Sequence, residues 1–327
     1  MVEKMNEFKI LMDGFIYTLD LSHFCRYAFE ESNHEVHPIS PKDFMLFGKP
    51  ILGSLAIARY NRRVLEFVKN EKPDIFFTIN GKLIYRKTVE KIKDLGVKTV
   101  CWWVDFPELY SDWRKYITAY DYFFTVIPEM DLEYLDKKLP NIHYLPLGCW
   151  RVLGPRNPKF NRDICFVGTM YKNREKLVRE IIKKGFKLEI FGGSEWKKAK
   201  QIIEAYAGRA VVGDEMLHEY RKSKIGLNIH QDYGIKKTKK LSVNMRAFEI
   251  PASGCFQIVD YRDDIDELFE VEKEIECFEN TKDLIYKIEY YLENEDERER
   301  IAEAGRRKVL KEHTYTKRMK EMLSVIE

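Results

Sequence analysis

Short apolar runs alternate with longer stretches in which apolar positions recur at helical spacing through most of the chain. In the first half, FKILMDG (8–14), DIFFTIN (74–80), KTVCWWVDFP (98–107) and YDYFFTVI (120–127) are largely apolar and end in polar or turn residues. Strands buried on both faces of a parallel sheet carry that pattern. Helical patterns fill the intervals at about 21–32, 55–70, 84–95 and 129–137. The succession predicts βαβ units, with helices covering the sheet.

The pattern breaks over residues 140–162, where prolines and glycines collect without a period, as in a domain linker. It then resumes with strands at DICFVGTM (163–170), KLEIFGG (187–193), AVVGD (210–214), IGLNIH (225–230) and GCFQIVD (254–260), separated by helices at 172–184, 195–207 and 215–223. From about 281 the chain is charged and helical, with Leu, Ile and Tyr on one face. The expected fold class is α/β with two Rossmann-like domains, 1–150 and 151–310, and a C-terminal helix, 311–327, packing back toward the first domain.

A length of 327 residues suits two domains, and 45% hydrophobic with 33% charged residues describes a globular chain. The formal net charge of +3 gives no whole-surface field to draw the chain onto nucleic acid or membrane, so neither is expected as a partner. The six cysteines form no CxxC pair and have no metal-ligand spacing, which predicts buried free thiols in a reducing cytoplasm. The first residues lack the apolar core of a signal peptide, and no run reaches the ~18 apolar residues of a membrane helix. The abundance of Lys, Glu and Ile points to a heat-adapted source.

Open parallel sheets bind ligands beyond the carboxyl ends of their strands, and two such domains facing each other would enclose a cleft. In the second domain Gly168 and Thr169 form a turn before a helix that opens with Lys172 and Arg174, so free amides and two cations could meet an anion. An ordinary β–α turn with a solvated helix would carry the same residues. Gly192, Gly193 and Gly213, followed by Glu215 and Met216, would let a flat base approach the backbone, although turn glycines need no ligand. His230 follows a strand, and the loop behind it holds Lys236, Lys237, Lys239 and Lys240, either solvated or closing over a diphosphate. In NMRAFEIPASG, Met245, Phe248 and Ala252 fall at helical spacing and Gly254 ends the helix. Glu249 on that helix is expected to be buried, and either two ribose hydroxyls or Arg246, three residues earlier, would partner it.

The order G-x-x-Y…R, R-x-F-E-x-x-A-x-G and H-x-Y-x-x-R, in GTMYKNR, RAFEIPASG and HTYTKR, resembles the C-terminal domain of the CgeB-like, spore-maturation-type glycosyltransferases. These are related to glycosyltransferase family 4 and have the GT-B architecture. The likeness is specific over 163–320 and looser over 1–150. It implies a nucleotide-sugar donor, such as a UDP- or GDP-sugar, as co-substrate on the second domain, with no separate cofactor. Glu249 matches the ribose-binding glutamate, Arg246 and Arg174 match cations at the donor phosphates, and residues 213–217 match the segment beside the base. Asp105 matches a position that carries His or Asp facing the reacting sugar. The family pattern places a second glutamate eight positions before the ribose glutamate. Here that position is Leu241, which leaves the stereochemical outcome open.

Metal-independent transfer of a hexosyl group to an acceptor hydroxyl follows, with Lys172, Arg174 and Arg246 stabilising the leaving diphosphate and Asp105 as general base, its pKa raised by Trp102, Trp103 and Phe106. Tyr17, Trp102 and Trp103 are the acceptor-side candidates, and Trp150 is another aromatic that could stack on a sugar. The acceptor itself is not identified. A nucleotide-sugar epimerase of the same fold, or a degenerate sugar-binding protein, are the competing readings.

Overall fold

The computed structural model describes residues 7–14, 20–41, 45–46, 49–50, 53–105, 114–127, 141–155, 160–232 and 242–327. The chain divides into two compact units, the first comprising Met1–Pro146 with Tyr315–Glu327 and the second Leu147–Thr314. The boundaries therefore fall at 146/147 and 314/315, against the 150 and 310 read from the sequence.

The first unit holds β1 (Lys9–Asp13), α1 (Leu21–Glu31), β2 (Glu35–Ile39), the short pair β3 (Met45–Leu46) and β4 (Lys49–Pro50), α2 (Ser54–Glu71), β5 (Ile75–Ile79), α3 (Arg86–Asp94), β6 (Lys98–Trp103), α4 (Arg114–Ile117), β7 (Tyr122–Thr125) and β8 (Ile142–Tyr144). Its main sheet runs β2-β1-β5-β6-β7-β8, parallel throughout. Helices α2 and α3 cover one face, packing Tyr60, Val64, Val68, Val89 and Ile92 against Leu11, Phe76 and Trp103. The sequence pattern passes over β2 because EVHPI is half-polar and contains Pro38. At a sheet edge both are tolerated, since one side of the strand has no ladder to complete.

The second unit holds β9 (Arg162–Val167), α5 (Lys172–Lys183), β10 (Leu188–Phe191), α6 (Gly213–Arg221), β11 (Ser223–Asn228), α7 (Arg246–Ala252), β12 (Phe256–Asp260), α8 (Ile265–Leu268), β13 (Glu276–Phe278), α9 (Thr281–Glu293) and α10 (Glu295–Glu312). Its sheet runs β10-β9-β11-β12-β13, again parallel throughout. The final helix, α11 (Tyr315–Ile326), belongs to the first unit, where Tyr315 stacks on Phe24 of α1 at 5.9 Å.

Two of the expected elements change. Residues 194–205 form two short 3-10 turns, not one α-helix. Trp196 and Ile202 both enter the core, and an α-helix would turn residues six apart to different faces. AVVGD pairs with no strand: Val211 is buried, Val212 is extended and exposed, and α6 begins at Gly213. The helix expected at 129–137 lies outside the described residues. All six cysteines are free and buried. Among the described residues no helix is long and apolar enough to cross a membrane.

Candidate functional site

In the second unit the order of strands, numbered along the chain, is second-first-third-fourth-fifth. The connections from β9 and β11 therefore leave on opposite faces, and a crevice opens between the carboxyl ends of these two strands. Arg174 and Asn173, in the first turn of α5, straddle it. Arg174 donates from Nη1 to Thr169 O (3.0 Å) after β9 and from Nε to Ile229 O (2.7 Å) after β11. Asn173 Nδ2 donates to His230 O (2.8 Å). The guanidinium also lies over the rings of Phe166 and Tyr171. Tyr171, the N-cap of α5, makes no side-chain capping bond, so first-turn amides have no side-chain acceptor among the described residues.

A third element reaches this crevice through α7. Gly226 in β11 lets α7 lie directly on the sheet, because a Cβ there would meet Ile250 Cγ2 at 2.4 Å. The segment leading into α7 is fixed residue by residue. Val243 N donates to Asp264 Oδ2 (3.0 Å), Asn244 N donates to His230 Nε2 (3.0 Å), and the amides of Asn228 and Asn244 exchange bonds of 3.1 and 3.0 Å. His230 is itself held by Asp260, whose Oδ1 accepts from both the backbone N and Nδ1 of His230 at 2.7 Å, while Oδ2 accepts from Arg262 (2.8 Å). Burial works to raise the Asp260 carboxyl, but His230 and Arg262 prevail and hold it well below the usual range.

At the start of α7, Arg246 pairs with Glu249 through Nη1 and Oε2. Glu249 is 5% exposed, as expected of it, and its observed partner is Arg246. Arg246 Nε is buried without a hydrogen-bond partner among the described residues. Burial pushes the Arg246 guanidinium down, but Glu249 and Tyr220 together outweigh it and the net shift is upward. For Arg174 burial wins and the shift is downward, with the Arg246 charge adding to it. The Arg246 charge thus reaches the Arg174 guanidinium, and Arg174 itself lies beside a helix start without a side-chain cap.

Several sequence candidates fall elsewhere. Gly192 and Gly193 make room for this chain's own side chains. A Cβ on Gly192 would sit 2.6 Å from Trp196 Nε1, which donates to Gly168 O (2.9 Å), and one on Gly193 would sit 2.1 Å from Glu195 Oε2. Gly213 has φ +56°, so the turn into α6 calls for glycine whether or not a base lies near. Met216 is a core residue, and Glu215 is an exposed partner of Arg209. His230 is buried in the brace just described, not presented to a ligand. Thr169 and Lys172 are exposed at the mouth of α5. Trp150 Nε1 donates to Asp214 (3.2 Å). The lysine loop and Leu241, like Tyr17, lie outside the described residues.

In the first unit Asp105 follows β6 directly. Trp102 and Trp103 are fully buried, the first donating to Leu145 O (3.0 Å) and the second packed with Tyr116 and Phe123, so neither offers a face to an acceptor. The indoles expected to surround the Asp105 carboxylate give way to polar contacts, Lys82 Nζ at 2.6 Å and Asn80 Nδ2 at 3.0 Å. Asp13 is a further strand-end carboxylate, buried between Tyr60 and Thr78, with burial pushing its pKa up.

Sequence reasoning missed Asp260, Asn228, Asn244 and Lys82. A polar residue closing a buried apolar run, as in FQIVD, was the available signal for Asp260.

A family model described as "Glycosyl transferase-like" matches residues 173–324. Among solved structures, Anabaena HepE in complex with UDP and glucose aligns over 98% of this chain and 99% of its own, at 10% identity and TM-score 0.66. A glycosyltransferase from Rickettsia africae aligns over 98% of both chains at 14% identity and TM-score 0.68. A Listeria monocytogenes protein described as a UDP-N-acetylglucosamine 2-epimerase aligns over 98% of this chain and 96% of its own, at 12% identity and TM-score 0.61. No curated protein matches the sequence. At these identities the likeness establishes the fold, which is GT-B.

Proposed function

We propose that this chain is a glycosyltransferase of the CgeB-like type, moving a hexosyl group from a nucleotide-sugar to an acceptor hydroxyl without a metal ion, in the cytoplasm. The observation that carries the reading is Arg174 bridging the carboxyl ends of β9 and β11 at the switch-point crevice of the second unit, beside the N-terminus of α5, which has no side-chain cap. The Arg174 guanidinium, disfavoured by burial and by the Arg246 charge, would be relieved by an anion, and the buried Nε of Arg246, without a partner among the described residues, has a donor to offer one. A diphosphate leaving group supplies such an anion, and its charge grows as the glycosidic bond breaks. The "Glycosyl transferase-like" match, which includes α5 and α7, and the UDP bound by Anabaena HepE support the same reading.

In this mechanism the C–O bond between sugar and diphosphate breaks with its electron pair departing onto the diphosphate, where Arg174, Arg246, Lys172 and the first amides of α5 stabilise it. The acceptor oxygen bonds the anomeric carbon and gives its proton to Asp105. Glu249, oriented by Arg246, is the ribose contact.

The test is a panel of UDP-, GDP-, dTDP- and CDP-sugars. Binding by at least one in a thermal-shift assay, followed by nucleoside diphosphate release in the wild type and its loss in Asp105→Asn, is the expected result. No response to any donor removes the reading. The likeness to the Listeria protein favours one alternative, epimerisation. Mass-neutral conversion of the sugar-nucleotide, with no free diphosphate, would establish it instead.

A further inference from the structure

In the first unit two neighbouring parallel strands, β5 and β6, end side by side, with Ile79 opposite Trp102. The chain leaves β5 through Asn80 and Gly81, both in the left-handed region at φ +62° and +59°. A non-glycine residue adopts that conformation at a cost, and surrounding contacts must hold it there. Asn80 N donates to Trp102 O (2.9 Å), and the Asn80 amide is used at both ends: Oδ1 accepts from Val104 N (2.9 Å) and Nδ2 donates to Asp105 Oδ2 (3.0 Å). Two residues on, Lys82 Nζ donates to the same Oδ2 at 2.6 Å. Both donors converge on one carboxylate oxygen. Asp105 Oδ1 takes no hydrogen bond from any described residue.

Stability does not account for this arrangement. The side chains of Lys82 and Asp105 are 37% and 35% exposed, and ion pairs that wet contribute little to folding. What the arrangement does is remove the rotational freedom of a carboxylate at the carboxyl edge of a parallel sheet, where ligands bind.

We propose that Asn80 and Lys82 are positioning residues that hold Asp105 by Oδ2, so that Oδ1 is the oxygen that takes the proton from the acceptor hydroxyl. The inference rests on the sugar-transfer reading and on Asp105 as its base. As the acceptor O–H bond breaks, its proton passes to Oδ1, the acceptor oxygen bonds the anomeric carbon, and the sugar–diphosphate bond releases its electron pair to the diphosphate. Lys82 stays protonated throughout and exchanges no proton.

The variants separate side-chain chemistry from folding. Asn80→Asp keeps the acceptor for Val104 N but replaces the donor to Asp105 with a like charge. Asn80→Gly keeps the left-handed turn and loses both bonds. Lys82→Met removes the ammonium, and Lys82→Arg retains a cation donor. With water as acceptor and release of nucleoside diphosphate from the responding donor as readout, Lys82→Met and Asn80→Asp lower kcat by about tenfold or more, while KM for the donor and the thermal midpoint stay as in the wild type. Lys82→Arg recovers most of the lost kcat. Wild-type kcat in Lys82→Met and in Asn80→Asp, with Asp105→Asn inactive, overturns the positioning role alone. Activity retained in Asp105→Asn overturns the base assignment and this inference with it. Absence of release by the wild type from every donor overturns the transfer reading as well.

Discussion

His230 and Asp260 are joined twice through a single oxygen: Asp260 Oδ1 accepts from the His230 backbone N and from Nδ1, each at 2.7 Å. Because Nε2 accepts from Asn244 N, the ring proton resides on Nδ1, and the imidazole connects the end of β12 to the segment that launches α7. The ring thus helps set where Arg246 and Glu249 stand, with both its nitrogens taken by this chain's own groups. His230→Ala leaves the Asn244 amide without its acceptor and Asp260 without one of its donors, costing about 2–3 kcal/mol of stability in the second unit. Chemical denaturation measures this loss, and nucleotide titration of the folded variant should show affinity weakened about tenfold. A variant as stable as the wild type would show that the imidazole bridge contributes nothing to the fold.

The Arg246–Glu249 pair makes a different prediction, because both its members are charged and Glu249 is buried. Arg246→Met strands that carboxylate and should cost about 3 kcal/mol, the lower end for a broken buried pair since Arg246 is partly exposed. The double variant Arg246→Met with Glu249→Gln should be more stable than the sum of the singles implies, with a coupling of about 1 kcal/mol or more in a denaturation cycle. Additive effects would dissolve the pair. Separately, Glu249→Ala should weaken nucleotide binding by about 1–3 kcal/mol if this carboxylate also meets the ribose.

The periodicity made the two parallel sheets legible because strands covered on both faces must be apolar throughout, and helices between them must be amphipathic. Elements lacking those constraints stayed hidden. The edge strand β2 tolerates Pro38 and polar residues, and the three-residue β13 is too short to show a period. At the site, Glu249 was readable because charge in a buried run demands a partner, and Arg246, three residues earlier, was one of the two partners expected. What could not be read was the partner each would choose. Gly192 and Met216 look like ligand contacts when placed after strands on a line, but Trp196 occupies the space above Gly192, and Met216 faces the core on α6. The contacts of Asp105 were equally hidden, since Trp102 and Trp103, its neighbours in sequence, turn into the core while Lys82 reaches it from another loop.

That packing can be tested directly. Gly192→Ala would place a methyl 2.4 Å from Gly168 O and 2.6 Å from Trp196 Nε1, closer than van der Waals contact allows. Trp196 is fully buried and Gly168 O is backbone, so neither can give way freely, and the variant should lose about 1–3 kcal/mol with no nucleotide present. Loss of nucleotide affinity at unchanged stability would instead return Gly192 to the ligand site.

Asp264 offers a pH-dependent signature of the same region. It is buried, accepts from Val243 N through Oδ2, and its Oδ1 has no hydrogen-bond partner among the described residues. Burial pushes its carboxyl from 3.8 up to about 7. Between those values the folded chain keeps a proton that the unfolded chain has released, so this group's contribution is most favourable at low pH and declines as pH rises from about 4 through 7. The penalty above pH 7 is on the order of 4 kcal/mol. The side-chain amide of an Asp264→Asn variant would carry no charge at any of these values while still accepting from Val243 N. The stability of Asp264→Asn relative to the wild type should therefore climb steadily from about pH 4.5 to about pH 7.5 in denaturation series. The lowered Asp260 carboxyl affects both proteins equally and cancels from the difference. A difference that stays flat across the window would mean that Asp264 finds a partner for Oδ1 when it ionises.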